Sequence, residues 1–135
     1  MLYNIKTGYN GIKQRPMSEI VVVVSSLLRF QELRVPFLFT DRHAYLKTAK
    51  FFDDVGALST IDWERLSACD FKYSADDPAK MERYQAEALA FRHVPVGALL
   101  GFACYSGTVQ ARLDHLVDSA GLTMKVIVRK EWLFG

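Results

Sequence analysis

Cysteine is scarce. Cys69 and Cys104 are the only two in 135 residues, and their spacing builds no disulfide framework. Both read as reduced thiols of a cytoplasmic protein. Long apolar runs are missing too. None approaches the roughly 18 residues of a membrane-spanning helix, and Met1-Leu2-Tyr3-Asn4-Ile5-Lys6 lacks the charged start and apolar stretch of a signal peptide. His43, His93 and His115 lie too far apart for a paired metal-ligand spacing, so no metal is expected. There is no phosphate-cradling P-loop, no Gly-rich dinucleotide fingerprint and no Gly-x-Ser-x-Gly elbow. A Cys–His nucleophile pair is disfavoured because Cys104 falls in an apolar strand, where a thiol is inert.

What remains is a globular chain. Half its residues are hydrophobic and 24% are charged, and its length suits one domain, residues 1–135, rather than two. The net charge of +2 is too small to argue for nucleic acid. Its distribution says more. Residues 1–50 carry eight Lys/Arg against three Asp/Glu, a surplus of five; residues 51–135 carry nine against twelve, a deficit of three. A basic front half suits a phosphate backbone, and ordinary solvated lysines explain it equally well.

Periodicity divides the chain into short elements. Residues 1–18 are polar and turn-rich, punctuated by Gly8, Gly11 and Pro16. The β-branched run Glu19–Val24 predicts a strand buried on both faces, and Val35–Phe39 a second strand. Thr40-Asp41 predicts the cap of a helix over 42–53, with Tyr45, Ala49 and Phe52 on one face. Residues 54–60 read as loop, Ile61–Leu66 as a short helix, and 67–83 as a long polar excursion of the kind that is often functional. Alternation predicts a strand over 84–91, with Gln85, Glu87, Leu89 and Phe91 on one face. Leu99–Tyr105 is a further strand. Thr108–Ala120 is the clearest helix, striped by Val109, Leu113, Leu116, Val117 and Ala120 and ended by Gly121. Met124–Val128 is the last strand. The fold class is α+β.

One string stands out, Tyr84-Gln85-Ala86-Glu87-Ala88-Leu89. A carboxylate in an otherwise apolar strand is costly to bury unless it is paired or used. Gln85, two residues earlier, would project from the same face, beside the polar excursion. The alternative on pattern alone is an edge strand with a solvated polar face.

Longer strings carry a resemblance. Phe37-Leu38-Phe39-Thr40-Asp41-Arg42-His43-Ala44-Tyr45, Ile61-Asp62-Trp63, Asp70-Phe71 and the stretch from Asp76-Asp77-Pro78 to Tyr84-Gln85-Ala86-Glu87-Ala88 together resemble the DarT family. Met1-Leu2-Tyr3 is similar to the family's Pro-Met-Leu segment, and Val24-Ser25-Ser26-Leu27 and Trp132-Leu133-Phe134 also fit. The resemblance runs over nearly the whole chain, with several rare strings in order at similar gaps.

The resemblance implies an ADP-ribosyltransferase-like fold with a split, mixed β-core and flanking helices. It implies a toxin that transfers ADP-ribose from NAD to a thymine or guanine of single-stranded DNA, releasing nicotinamide, and that is restrained by a DarG-type macrodomain antitoxin. Matched by motif, Glu87 is the catalytic glutamate and residues 67–86 the element presenting the base. His43 falls in the Thr-Asp-x-His-Ala segment near the site, and Met1 where the family's methionine faces DNA. The family carries a segment ahead of Pro-Met-Leu with its NAD-binding histidines and an arginine near the phosphates. The sequence begins at that methionine, so NAD-phosphate contacts are assigned to no residue here. A weakened remnant that binds single-stranded DNA or an antitoxin, and an NAD glycohydrolase using water, stay open as alternatives.

On this reading Glu87 stabilises positive charge at the ribose and takes a proton from the base. Gln85 hydrogen-bonds the base edge. Phe71, Tyr73 and Tyr84 are candidates to stack on bases, and Lys72, Lys80 and Arg83 to meet phosphates.

Overall fold

A computed structural model describes residues 2–72 and 74–133; Met1 and Tyr73, both singled out above, lie outside them. In chain order the helices and strands are α1 (Leu2–Thr7), β1 (Val21–Val24), α2 (Leu27–Glu32), β2 (Phe37–Thr40), β3 (Phe51–Phe52), α3 (Trp63–Ala68), α4 (Lys80–Arg83), β4 (Ala88–Ala90), β5 (Gly101–Cys104), α5 (Gly107–Ser119) and β6 (Lys125–Val128). The chain divides into two units, Met1–Ser26 with Pro95–Gly135, and Leu27–Val94. Each holds one three-stranded sheet, so the β-structure is split and the class is α+β, as expected.

In the first unit β5 is the central strand. It runs antiparallel to β1, with Val21 opposite Cys104, and parallel to β6, with Gly101 opposite Lys125. A parallel pair needs a crossover, and α5 supplies it. The Ser106 hydroxyl caps α5 by accepting the Val109 N–H. Gly121 ends it at φ +65°, with Leu122 N–H bonded to Val117 C=O and Gly121 N–H to Asp118 C=O, the two bonds of a Schellman turn. Val109, Leu113 and Val117 pack with Phe102, Cys104 and Val126. Leu116 lies off this stripe, 63% exposed, because the packed positions are spaced by four and it falls beside them. The valine run also departs from expectation. β1 is an edge strand, and Val23 is 56% exposed, so the run is not buried on both faces.

In the second unit β2 is central, antiparallel to β3 and β4. Phe39 is buried and stacks on Phe52 at 5.2 Å, and the rings of Phe30 and Phe37 lie 6.1 Å apart. The sequence pattern does not announce α2, whose Phe30 is buried. The predicted helix over 42–53 is absent. Two turns, closed by Leu46 N–H to His43 C=O and Ala49 N–H to Leu46 C=O, lead into β3. Asp41 is the physical reason: its carboxylate accepts the Lys50 N–H at 3.0 Å. A side chain that closes a loop on the backbone competes with helix. Residues 55–60 form a 3-10 turn capped by Asp54, and Asp62 caps α3.

Candidate active site around Glu87

Glu87 lies at a junction, not in mid-strand. Alternation predicts a strand from residue 84, yet α4 runs to Arg83. Its turn is continued by Gln85 N–H to Glu82 C=O (3.0 Å) and Ala86 N–H to Arg83 C=O (3.2 Å). Strand pairing starts at Ala88. The small residues around Glu87 satisfy either period, and local bonds decide. Gln85 therefore shares no strand face with Glu87. It is exposed, and its amide donates to Met81 C=O at 3.4 Å.

β2 positions Glu87 from the other side. Thr40 N–H donates to Glu87 C=O at 2.9 Å. The Thr40 hydroxyl, in a residue only 1% exposed, donates to Arg42 C=O at 2.5 Å and lies 3.4 Å from the Glu87 N–H, which donates to it. A hydroxyl has one proton, so its 3.4 Å approach to Glu87 C=O is contact only.

The loop after Thr40 then turns onto the carboxylate. Glu87 Oε1 accepts the Ala44 N–H at 2.7 Å and lies 2.9 Å from His43 Nδ1. A carboxylate only accepts, so Nδ1 carries the proton in that contact. The longer approach of Tyr45 N–H to the same nitrogen, 3.4 Å, then closes no hydrogen bond. Among the described residues, Oε2 has no hydrogen-bond partner. The side chain is 35% exposed, so that oxygen is open to a ligand.

An ion-pair chain links this loop to α4. Arg42 bonds Asp41 through two nitrogens, at 3.3 and 3.2 Å, and Glu82 through a third at 3.1 Å. Burial pushes the Asp41 carboxyl up, but the Lys50 N–H and the Arg42 guanidinium outweigh it and leave the group below its ordinary value. The hydrogen bond that Arg42 donates to Asp41 raises Arg42 in turn, against the opposing effect of burial.

The polar excursion is tied down by charge. Asp62 Oδ2 lies 3.2 Å from Arg83 Nε and 3.5 Å from Arg65 Nε; both nitrogens are buried without an aligned hydrogen bond, so these are ion pairs by proximity. Asp77 pairs with Arg83 and with Arg65. Lys80 is 4% exposed and its ammonium meets Asp70 at 2.6 Å. Lys80 and Arg83, expected at phosphates, are thus held by the carboxylates of Asp62, Asp70 and Asp77. Tyr84 accepts the Asp70 N–H at 2.9 Å, and its ring packs on Phe71 at 4.8 Å, so these aromatics meet each other. Phe71 and Lys72 keep exposed side chains.

Asp70 makes this tie pH-dependent. Its carboxyl is held below the ordinary carboxylate range by the Lys80 ammonium, with help from the Lys72 N–H. A lowered folded-state value stabilises the tie above the unfolded value, and that stabilisation disappears as pH falls through the lowered one. The tie is therefore expected to hold above about pH 4, the ordinary carboxylate value, and to open only as pH falls further through the lowered one, read as a shift of the Lys72 amide proton during acid titration. Asp70→Asn should remove this transition; an unchanged transition in that variant would assign it to another group.

Among the residues singled out from the sequence, the structure brings His43 to Glu87 and sets Gln85 apart. It adds Thr40, the Ala44 N–H and the Asp41–Arg42–Glu82 chain. The Thr-Asp pair signalled a polar side chain capturing backbone, although the target is a loop and not a helix start.

Comparison with known proteins bears on this geometry. A family model described as "ssDNA thymidine ADP-ribosyltransferase, DarT" matches residues 1–134. The chain is 46% identical over 134 residues to a DNA ADP-ribosyl transferase of Escherichia coli O127:H6 (strain E2348/69 / EPEC), covering 99% of this chain and 62% of that one. It matches the structure of Thermus sp. 2.9 DarT in complex with NAD+ with a TM-score of 0.82 and 30% identity, over 97% of this chain and 65% of that one. It matches the same protein in complex with ADP-ribosylated ssDNA with a TM-score of 0.81, 30% identity, and coverage of 97% and 62%. The chain spans less than two thirds of the length of each of these relatives.

Proposed function

Because this chain belongs to the DarT family of single-stranded-DNA thymidine ADP-ribosyltransferases, we propose that it carries the glutamate side of an enzyme moving ADP-ribose from NAD to a thymine of single-stranded DNA. The observation that supports this most is the state of Glu87. One oxygen is fixed by two donors and the other is open.

That arrangement fits a ribose. An open carboxylate oxygen accepts a sugar hydroxyl and stabilises positive charge developing nearby, and a fixed carboxylate does so without reorganising. NAD, as co-substrate, supplies the ADP-ribosyl group and a good leaving group in nicotinamide. Glu87 Oε2 is also the acceptor for the proton that the attacking base nitrogen must lose. The His43 Nδ1–H and the Ala44 N–H hold the carboxylate for both tasks. Among the described residues of the 67–86 segment, Gln85 and Lys72 keep exposed side chains suited to meet the base and backbone. Thymine is favoured over guanine by the family's description, and a family match across both units supports reading residues 1–135 as one domain. The family resemblance also supports a DarG-type macrodomain antitoxin as partner.

The test is transfer itself. Incubated with NAD and a single-stranded oligonucleotide, the chain is expected to add the mass of one ADP-ribose to thymine-containing strands. Duplex and thymine-free strands should stay unmodified, because pairing hides the reactive edge, and binding should weaken as salt rises. Equal labelling of duplex would overturn the single-strand preference. Free ADP-ribose with unmodified DNA would make the chain an NAD glycohydrolase.

A further inference from the structure

Thr40 is the only buried hydroxyl among the described residues that touches both segments meeting at Glu87. Its proton goes to Arg42 C=O at 2.5 Å, and its lone pair faces the Glu87 N–H at 3.4 Å. Arg42 immediately precedes the two donors on Glu87 Oε1, His43 Nδ1 and Ala44 N–H. The antiparallel pairing of β2 with β4 ends at Phe39 opposite Ala88. At the next position Thr40 N–H still reaches Glu87 C=O, while the return partner for Glu87 N–H is the threonine side chain. The hydroxyl thus continues the ladder by one rung on one side and bends the following loop back on the other.

We propose that Thr40 is a positioning residue for Glu87: its hydroxyl bridges Arg42 C=O and Glu87 N–H, so that His43 and Ala44 converge on one carboxylate oxygen and leave the other open. This rests on the proposed role of Glu87 in transfer, although the bridge itself is a matter of geometry. Three features of the site follow from one side chain. The Arg42 carbonyl, beside a residue that is almost fully enclosed, keeps a donor. The loop cannot relax into the helix that its sequence pattern favours. The carboxylate is held before substrate arrives, which is where preorganisation acts on rate and not on affinity. Arg42 reinforces the same loop through Asp41 and Glu82, but without touching Glu87.

The experiment uses the full chain and the isosteric variant Thr40→Val, with Thr40→Ser as rescue. In Thr40→Val the Ala44 amide should exchange with solvent about tenfold faster, and kcat for transfer should fall about tenfold or more, the effect of removing one buried hydrogen-bonding group. KM for NAD should stay within about twofold, because uniform binding is untouched. Thr40→Ser should restore both readings. A merely structural role would lower stability and leave Ala44 exchange and kcat of the folded molecules unchanged, which overturns the proposal. If Thr40→Val does not fold, Thr40→Ser and Thr40→Cys decide the matter. Both are small, and only serine is a strong donor, so equal Ala44 exchange in the two overturns it. A wild-type chain without transfer activity counts against the function proposed above and not against the bridge, which the exchange measurement then settles alone.

Discussion

On the proposed role of Glu87, Glu87→Gln is expected to lower ADP-ribose transfer by about a thousandfold or more, the scale of losing a transition-state stabiliser that also serves as general base, with little change in thermal stability. The separation of the two effects follows from the hydrogen bonds. A glutamine carbonyl oxygen in the place of Oε1 still accepts the Ala44 N–H and the His43 Nδ1–H, now at 2.7 and 2.9 Å. The amide nitrogen falls where Oε2 is open. An acceptor becomes a donor there, and the negative charge is lost. Neither change touches packing, because the side chain is about one-third exposed and water can solvate it. Glu87→Ala should be as inactive and slightly less stable, by about 1 kcal/mol, since it strands two donors at a half-wet site. A time course of labelled oligonucleotide by mass spectrometry, alongside a thermal melt, checks both. Transfer by Glu87→Gln within tenfold of wild type would remove this carboxylate from the chemistry.

The parts of the fold legible in the sequence are those whose signals are local and agree. For α5, the Val109–Leu113–Val117 stripe and Gly121 both point to one helix, and the structure has it within a residue at each end. Where a signal depends on a distant partner, the sequence misleads. The period of Tyr45, Ala49 and Phe52 suits a helix, but Asp41 captures the Lys50 N–H and Thr40 captures Arg42 C=O. α2 is hidden for a different reason. It ends with Val35 N–H on Phe30 C=O and Arg34 N–H on Gln31 C=O, a Schellman turn in which Arg34 takes φ +54°. Without glycine in that slot no stop signal is written.

The site divides the same way. Glu87 stood out because a lone acid among small apolar residues is improbable without a use, and the family motif sharpened that to a role. His43 was reachable only through the motif. The Ala44 contribution was not reachable at all, because every residue but proline carries the same N–H and only the loop path selects one. Lys80 and Arg83 looked free because composition shows charges and not their partners. Asp62, Asp70 and Asp77 are twenty-one, ten and six residues away from the cations they hold.

The largest effect on folding is expected from Gly101→Ala, in the central strand of the first unit. Gly101 pairs with Lys125 across the parallel β5–β6 ladder, and its φ is +154°, a conformation L side chains rarely adopt. A methyl carbon built there would lie 2.2 Å from the Lys125 carbonyl oxygen. That atom belongs to the backbone, so no rotamer change relieves the clash, and one strand must move off the other. Overpacking of this kind costs about 1–3 kcal/mol and the backbone strain about 1–3 kcal/mol more. A loss near 3 kcal/mol corresponds to a fall of about 10 °C in Tm for a chain of this size. Gly107→Ala is the matched control. The same methyl group meets nothing within 4 Å there and begins α5, where alanine is the better helix former, so its Tm should stay level or rise slightly. Equal melting of the two variants would mean that β5 and β6 do not approach this closely in solution. A low Tm for Gly101→Ala beside an unshifted Tm for Glu87→Gln would show that folding and chemistry fail at separate residues, and that loss of transfer at Glu87 cannot be put down to an unfolded chain.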